Sequence, residues 1–169
     1  MSKKLFAEFL GTFTLIFLGA GAIVSGKADL QGVAFAHGLA IFVMVSALAG
    51  ISGAHFNPAV SAVMLATKRI SAQDFAYFVL AQLAGASVAS FALKYIYGAS
   101  NGYGLPAISE GTSTGAGALA EVIGTALLVL VIFGVAVDKR SKFADEAGLP
   151  IGLTITAVIL SVGPITGAA

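Results

Sequence analysis

The sequence has no cysteine, and only 10% of its 169 residues are charged. The first absence excludes disulfide frameworks, thiolate metal sites and thiol catalysis together. The second excludes an ordinary water-facing surface, because a soluble domain carries about a quarter charged residues. Nine Lys and Arg against eight Asp and Glu leave a formal charge of +1, which offers no field for nucleic acid. No nucleophile and base pair, phosphate loop or metal-ligand cluster stands in the sequence, so neither an enzyme nor a cofactor is expected. His55 has no Cys, Asp or second His at ligand spacing, and a hydrogen bonder that braces a loop is the better reading of it than a metal ligand. What is abundant is apolar: 58% of the residues are hydrophobic. That many apolar side chains with so little charge need a solvent other than water, and a lipid bilayer is one.

A membrane-spanning helix needs about 20 residues, and the gaps between charges come close to that length. Uncharged stretches run from Glu8 to Lys27, Asp29 to Lys68, Asp74 to Lys94, Glu121 to Asp138, and from Glu146 to the last residue. The second of these, at 38 residues, is too long for one crossing and too short for two with a turn. It is expected to hold one span, Val33 to Gly50, followed by a shorter segment carrying Gly53, His55, Asn57 and Pro58. Polar, helix-breaking chain at membrane depth is tolerated only where it is buried in protein or lines a cavity. Lys3 and Lys4 before an apolar run suggest a signal peptide, but Leu5 to Val24 exceeds the usual apolar core, carries Glu8 and is followed by more spans. It reads as the first helix.

Lys and Arg then orient the chain. Lys3, Lys4, Lys68, Arg69, Lys139, Arg140 and Lys142 fall on one side, against Lys27 and Lys94 on the other. The first side is expected to be the cytoplasm, with the N-terminus there, and the short segment must dip into the bilayer from that side and return. The protein is expected to be a multi-pass integral membrane protein of the plasma or inner membrane.

The chain also repeats itself. Ala7-Glu8-Phe9-Leu10-Gly11-Thr12 recurs as Ala120-Glu121-Val122-Ile123-Gly124-Thr125, Gly38-Leu39 as Gly152-Leu153, and Ile51-Ser52-Gly53-Ala54 as Ile165-Thr166-Gly167-Ala168, at offsets of 113 to 114. Three matches in one order at one spacing mark a tandem duplication. Three crossings per copy force the copies into opposite orientations, the inverted-repeat arrangement of many transport folds. Residues 1–97 are expected to form the first repeat, with three membrane helices and a re-entrant half-helix. Residues 98–117 would be an extracellular connecting loop, and 118–169 an incomplete second repeat with two membrane helices. At the same offset the partner of Asn57 falls at position 171.

Asn57 followed by Pro58 is a helix-start signal, an N-cap with proline in the first turn. A short helix is expected from Pro58 to about Thr67, its positive dipole end deep in the membrane and its other end at Lys68 and Arg69. Here the residues carry a resemblance. Ile51-Ser52-Gly53-Ala54-His55-Phe56-Asn57-Pro58-Ala59-Val60 resembles the first signature of the aquaporin and glycerol-facilitator (major intrinsic protein) family, and the two Ala-Glu-x-x-Gly-Thr sequences resemble the openings of its two halves.

The resemblance implies an all-α transmembrane fold, an inverted-repeat helical bundle with a re-entrant half-helix. It implies a passive channel for water and small neutral solutes, ammonia and glycerol among them, that excludes protons and ions. Asn57, Pro58 and Ala59 would form the pore motif, with Asn57 donating its side-chain N–H to the passing solute. The backbone carbonyls of Gly53, Ala54, His55 and Phe56 would make a ladder of acceptors. His37, Ile159 and Ala168 match constriction positions, and this combination resembles the tonoplast-type filter, somewhat wider than the strictly water-selective kind. Glu8 and Glu121 would each brace the re-entrant loop of their own repeat, although a helix-end carboxylate that snorkels to water is the plainer reading. The implied assembly is a homotetramer in the lipid bilayer. Two other readings stand beside this one: a non-conducting truncated fragment or subunit of such a channel, since the second Asn-Pro-Ala signature would begin beyond residue 169, and an ion-coupled secondary transporter, which would need titratable groups at the midplane.

Overall fold

The computed structural model describes residues 1–98 and 104–167. Among them the chain is all helix: α1 (Ser2–Val24), α2 (Leu30–Ser52), the short α3 (Pro58–Ala66), α4 (Ala72–Tyr97), α5 (Thr114–Ile132) and α6 (Gly148–Thr166). Five of the six are long and apolar enough to cross a membrane; α3 is the exception. The starts follow local chemistry. Asp29, Asn57, Ser71 and Ser113 each accept a backbone N–H from the first turn of α2, α3, α4 and α5 respectively, which satisfies donors that a helix N-terminus leaves open.

The charge gaps located the spans, but the charges do not mark their ends. The first helix, expected over Leu5 to Val24 through Glu8, runs Ser2–Val24, and Asp74, Lys94 and Glu121 also lie inside helices. Helix α5 starts at Thr114, well before Glu121 and within the stretch read as connecting loop, because the Ser113 cap starts the helix there and nothing after it breaks it. A carboxylate inside a span is tolerable when it has hydrogen-bond donors, and both glutamates have them.

The spans pack through glycine. Helix α1 lies against α4 and α2, and α2 lies against α6. A Cβ added at Gly85 would strike the α1 backbone at Phe9. Added at Gly38 it would strike Gly152 and Thr156, and at Gly152 it would strike Gly38 and Phe42. Gly38 and Gly152 are repeat partners, so the two copies meet at this pair. Close backbone approach through small residues is how helices associate in lipid, where burial of apolar surface supplies no drive between them. Helix α6 contains Pro164 and ends at Gly167 with φ +86°. Ser109 of the α4–α5 connection closes that end, its Oγ donating to the Pro164 carbonyl (2.6 Å) and its N–H to the Ile165 carbonyl (2.9 Å).

Candidate functional site

Helix α2 stops at Gly53, whose φ of +90° turns the chain back while its N–H still reaches the Ala49 carbonyl. The next residues alternate in hand: Ala54 and Phe56 both take positive φ, +51° and +50°, which is costly for residues with a Cβ. What holds them there is a carboxylate. Glu8 of α1, fully buried, accepts the N–H of His55 at Oε1 (3.0 Å) and of Phe56 at Oε2 (2.8 Å). Consecutive N–H groups turned to one side form a concave anion cradle, and here the anion belongs to the protein. Two further donors complete it: Ser52 Oγ to Oε1 (2.6 Å) and Gln82 Nε2 of α4 to Oε2 (2.8 Å).

The same side of the segment is closed elsewhere. Gln82 Nε2 also donates to Ser61 Oγ (3.0 Å), and Ser61 in turn meets His55 Nδ1 at 3.0 Å. The His55 ring stands edge-on to Phe78, 5.2 Å between centroids. Thr12 Oγ1 donates to the Phe56 carbonyl (3.2 Å). The Phe56 ring fills the place where a side chain at Gly11 would be. Gln82 Oε1 is the one buried side-chain polar atom without a partner among the described residues. Its amide cannot turn over to find one, because Oε1 would then face the Glu8 carboxylate.

The other side of the segment faces a cavity of about 420 Å³. Gly53, Ala54, His55 and Asn57 line it, along with apolar residues of α1, α2, α5 and α6. Asn57 Oδ1 accepts the N–H of Ala59 (2.7 Å), so its NH2 group is directed elsewhere. Pro58 and Ala59, the first residues of α3, are exposed. The charged residues that line the cavity are Lys4 and Arg69, both cations; no described carboxylate does. The Arg69 guanidinium also lies over the Phe133 ring, 5.3 Å from its centroid, beside the π-helical turn Phe133–Val137 that extends α5.

The structure thus brings Gly53, Ala54, His55 and Asn57 to one cavity, with Glu8 behind them. Glu121 lies apart and accepts the hydroxyl of Thr166. Since Thr166 is the repeat partner of Ser52, the same hydroxyl-to-glutamate contact occurs in both copies. His37 donates Nδ1–H to the Val33 carbonyl (2.8 Å), and Ile159 is buried on α6. Ala168 falls outside the described residues. Reading the sequence missed Thr12, Ser61 and Gln82. Gln82 had a signal, an amide in an otherwise apolar span; the two hydroxyls had none.

Comparison with known proteins agrees with this architecture. The family model for the major intrinsic proteins matches residues 1–169. The chain is 41% identical to glycerol uptake facilitator protein-like 6 of Lactiplantibacillus plantarum, over 98% of this chain and 77% of that protein. It is 35% identical to aquaporin AqpM of Methanothermobacter thermautotrophicus, over 99% and 78%, and 40% identical to aquaporin NIP1-1 of Zea mays, over 98% and 60%. Among solved structures it resembles the aquaglyceroporin of Plasmodium falciparum with a TM-score of 0.89 and 27% identity, covering 99% of this chain and 75% of that one.

Proposed function

This chain belongs to the major intrinsic protein family, and we infer on that premise that it is a passive transmembrane channel for water and small neutral solutes. The observation that carries the reading is the position of Asn57. Its side-chain oxygen is committed to capping α3, which leaves its amide donor for a hydroxyl or water in the cavity. Donor and helix end act together, because the N-terminus of α3 brings the positive end of a helix dipole to the same point. A neutral solute can accept from Asn57 there, while a cation meets the dipole and then Lys4 and Arg69. That is an electrostatic barrier of the kind that excludes ions from such pores.

The acceptor ladder we propose consists of the carbonyls of Gly53, Ala54 and His55, opposite the N–H groups that Glu8 gathers; the Phe56 carbonyl, expected among them, is instead taken by Thr12 Oγ1. Glu8 and Glu121 are positioning groups in this reading, with no part in proton transfer, and Pro58 and Ala59 set the start of the half-helix. His37 and Ile159, with Ala168, form the constriction, wide enough to admit glycerol or ammonia. We further propose that residues 1–97 and 118–169 are the two repeats joined by an extracellular loop at 98–117, that the N-terminus is cytoplasmic, and that the channel works as a homotetramer in the cell membrane. An ion-coupled transporter would need titratable groups at the midplane; among the described residues the cavity lining carries no carboxylate, and its histidine, His55, is bound to Ser61.

Stopped-flow light scattering of liposomes containing the protein tests the function. Osmotic shrinkage faster than that of empty vesicles, without faster proton leak, is the expected result. Shrinkage equal to that of empty vesicles, or uptake that follows a proton or sodium gradient, contradicts it.

A further inference from the structure

The cavity is walled by five helices, α1, α2, α3, α5 and α6, and three of its wall residues point to what lies beyond. Leu15 of α1, Ile41 of α2 and Ile155 of α6 all line it. Residues four apart on a helix share a face, so one turn further along each wall stand Gly19, His37 and Ile159. On α1 and α6 that turn leads toward the C-terminal end of the helix, and on α2 toward the N-terminal end, so all three steps run toward the same side of the membrane. His37 and Ile159 are residues of the proposed constriction. Gly19 is a third position at that level, on a helix that contributed nothing to the constriction as read from the sequence.

Gly19 is buried, and the His37 ring occupies its missing side chain: a Cβ at residue 19 would overlap Cδ2, Nε2 and Cε1 of the imidazole. The ring is fixed at its other edge by the Nδ1–H bond to Val33. It packs directly against α1 there because residue 19 has no side chain. On its other flank α2 is in close contact with α6, where Thr156 Oγ1 meets the Ala34 carbonyl and Gly38 abuts Thr156 and Gly152. With that flank closed, we take a ring pushed off α1 to enter the space between α1 and α6, the passage at this level in the proposed reading.

We propose that Gly19 is a specificity-determining residue of the channel, a recess in α1 that keeps the His37 ring out of the passage and so sets its width. The proposal rests on the reading of His37 as a constriction residue. A methyl group at position 19 narrows the aperture by displacing the imidazole, and a wide solute is affected far more than water.

The test compares glycerol and water permeability of liposomes carrying Gly19→Ala, His37→Ala and the double variant, at matched amounts of folded protein. In Gly19→Ala the glycerol permeability is expected to fall about tenfold, the scale on which one methylene discriminates in a fitted pocket, while water permeability changes much less. In the double variant, with no ring left to displace, the ratio of glycerol to water returns to that of His37→Ala alone. An unchanged ratio in Gly19→Ala, with an altered ratio in His37→Ala, overturns the proposal and leaves the constriction reading intact. An unchanged ratio in His37→Ala overturns both. If Gly19→Ala fails to fold, a double variant that folds and matches His37→Ala supports the displacement of the ring, and failure of both to fold shows that Gly19 serves packing alone and overturns the proposal.

Discussion

The two sides of the re-entrant segment, residues 53–57, are built on opposite principles. On the side facing α1 and α4 nearly every polar group is paired: the Glu8 carboxylate takes four donors, and His55, Ser61 and Gln82 form a chain of hydrogen bonds behind it. On the side facing the cavity, Gly53, Ala54 and Asn57 line open space. Irregular chain at membrane depth must be satisfied somewhere; here one side is satisfied by protein, which in the proposed reading leaves the other to a solute. The strained backbone at Ala54 and Phe56 is what the paired side sustains.

Substitutions on the paired side should therefore damage the fold, and those on the cavity side should damage conduction. Glu8→Ala should do the most. It strands four donors in a fully enclosed place, each at a cost of about 1–3 kcal/mol, and loss of folded protein in size-exclusion chromatography is the expected outcome. A folded, active Glu8→Ala would erase the distinction between the two sides. Gly11→Ala comes next, because its methyl would overlap the Phe56 ring. Overpacking of this kind costs about 1–3 kcal/mol, seen as a lowered unfolding temperature in detergent. Asn57→Ala should be milder for stability, about 1 kcal/mol for a lost N-cap, yet should sharply reduce water flux.

The smallest effect is expected far from both sides, at Asp138 and Arg140. Hydrogen bonds from the Arg140 guanidinium and backbone hold the exposed Asp138 carboxyl below the ordinary carboxylate range and raise the guanidinium. With the folded value depressed, the pairing is present above the unfolded value of about 3.9 and is lost only as pH falls through the folded one. Water permeability should then be unchanged by Asp138→Asn at neutral pH. In a carbon-13 carboxyl titration, Asp138 should shift back toward the ordinary range in Arg140→Gln.

The contrast between the two sides also marks what could be read from the sequence. The low charge, the repeat and the ten residues around Asn57 were enough for the membrane bundle, the family and the channel, because each is a local or periodic signal. Glu8 and Glu121 stood out as carboxylates in apolar runs. The pairings around them did not: Gln82 is 74 residues from Glu8 and meets it only once α1 and α4 pack through Gly85, and Thr12 is 44 from Phe56 and meets it only once the re-entrant segment folds against α1. The glycine recesses at Gly11 and Gly19 were invisible for the same reason, since the sequence marks them only as small. The helix ends were misplaced where a charge was taken as a boundary, although α5 runs straight through Glu121.

Asn57→Asp separates the two sides most directly. Aspartate keeps the oxygen that caps Ala59 and removes the N–H donor from the cavity, so the fold should survive while the solute loses its partner. The deciding measurement is the osmotic water permeability of liposomes containing equal amounts of folded wild-type and Asn57→Asp protein. The account predicts rapid flux from the first and a large loss in the second at an unchanged unfolding temperature. Equal flux from both would contradict it.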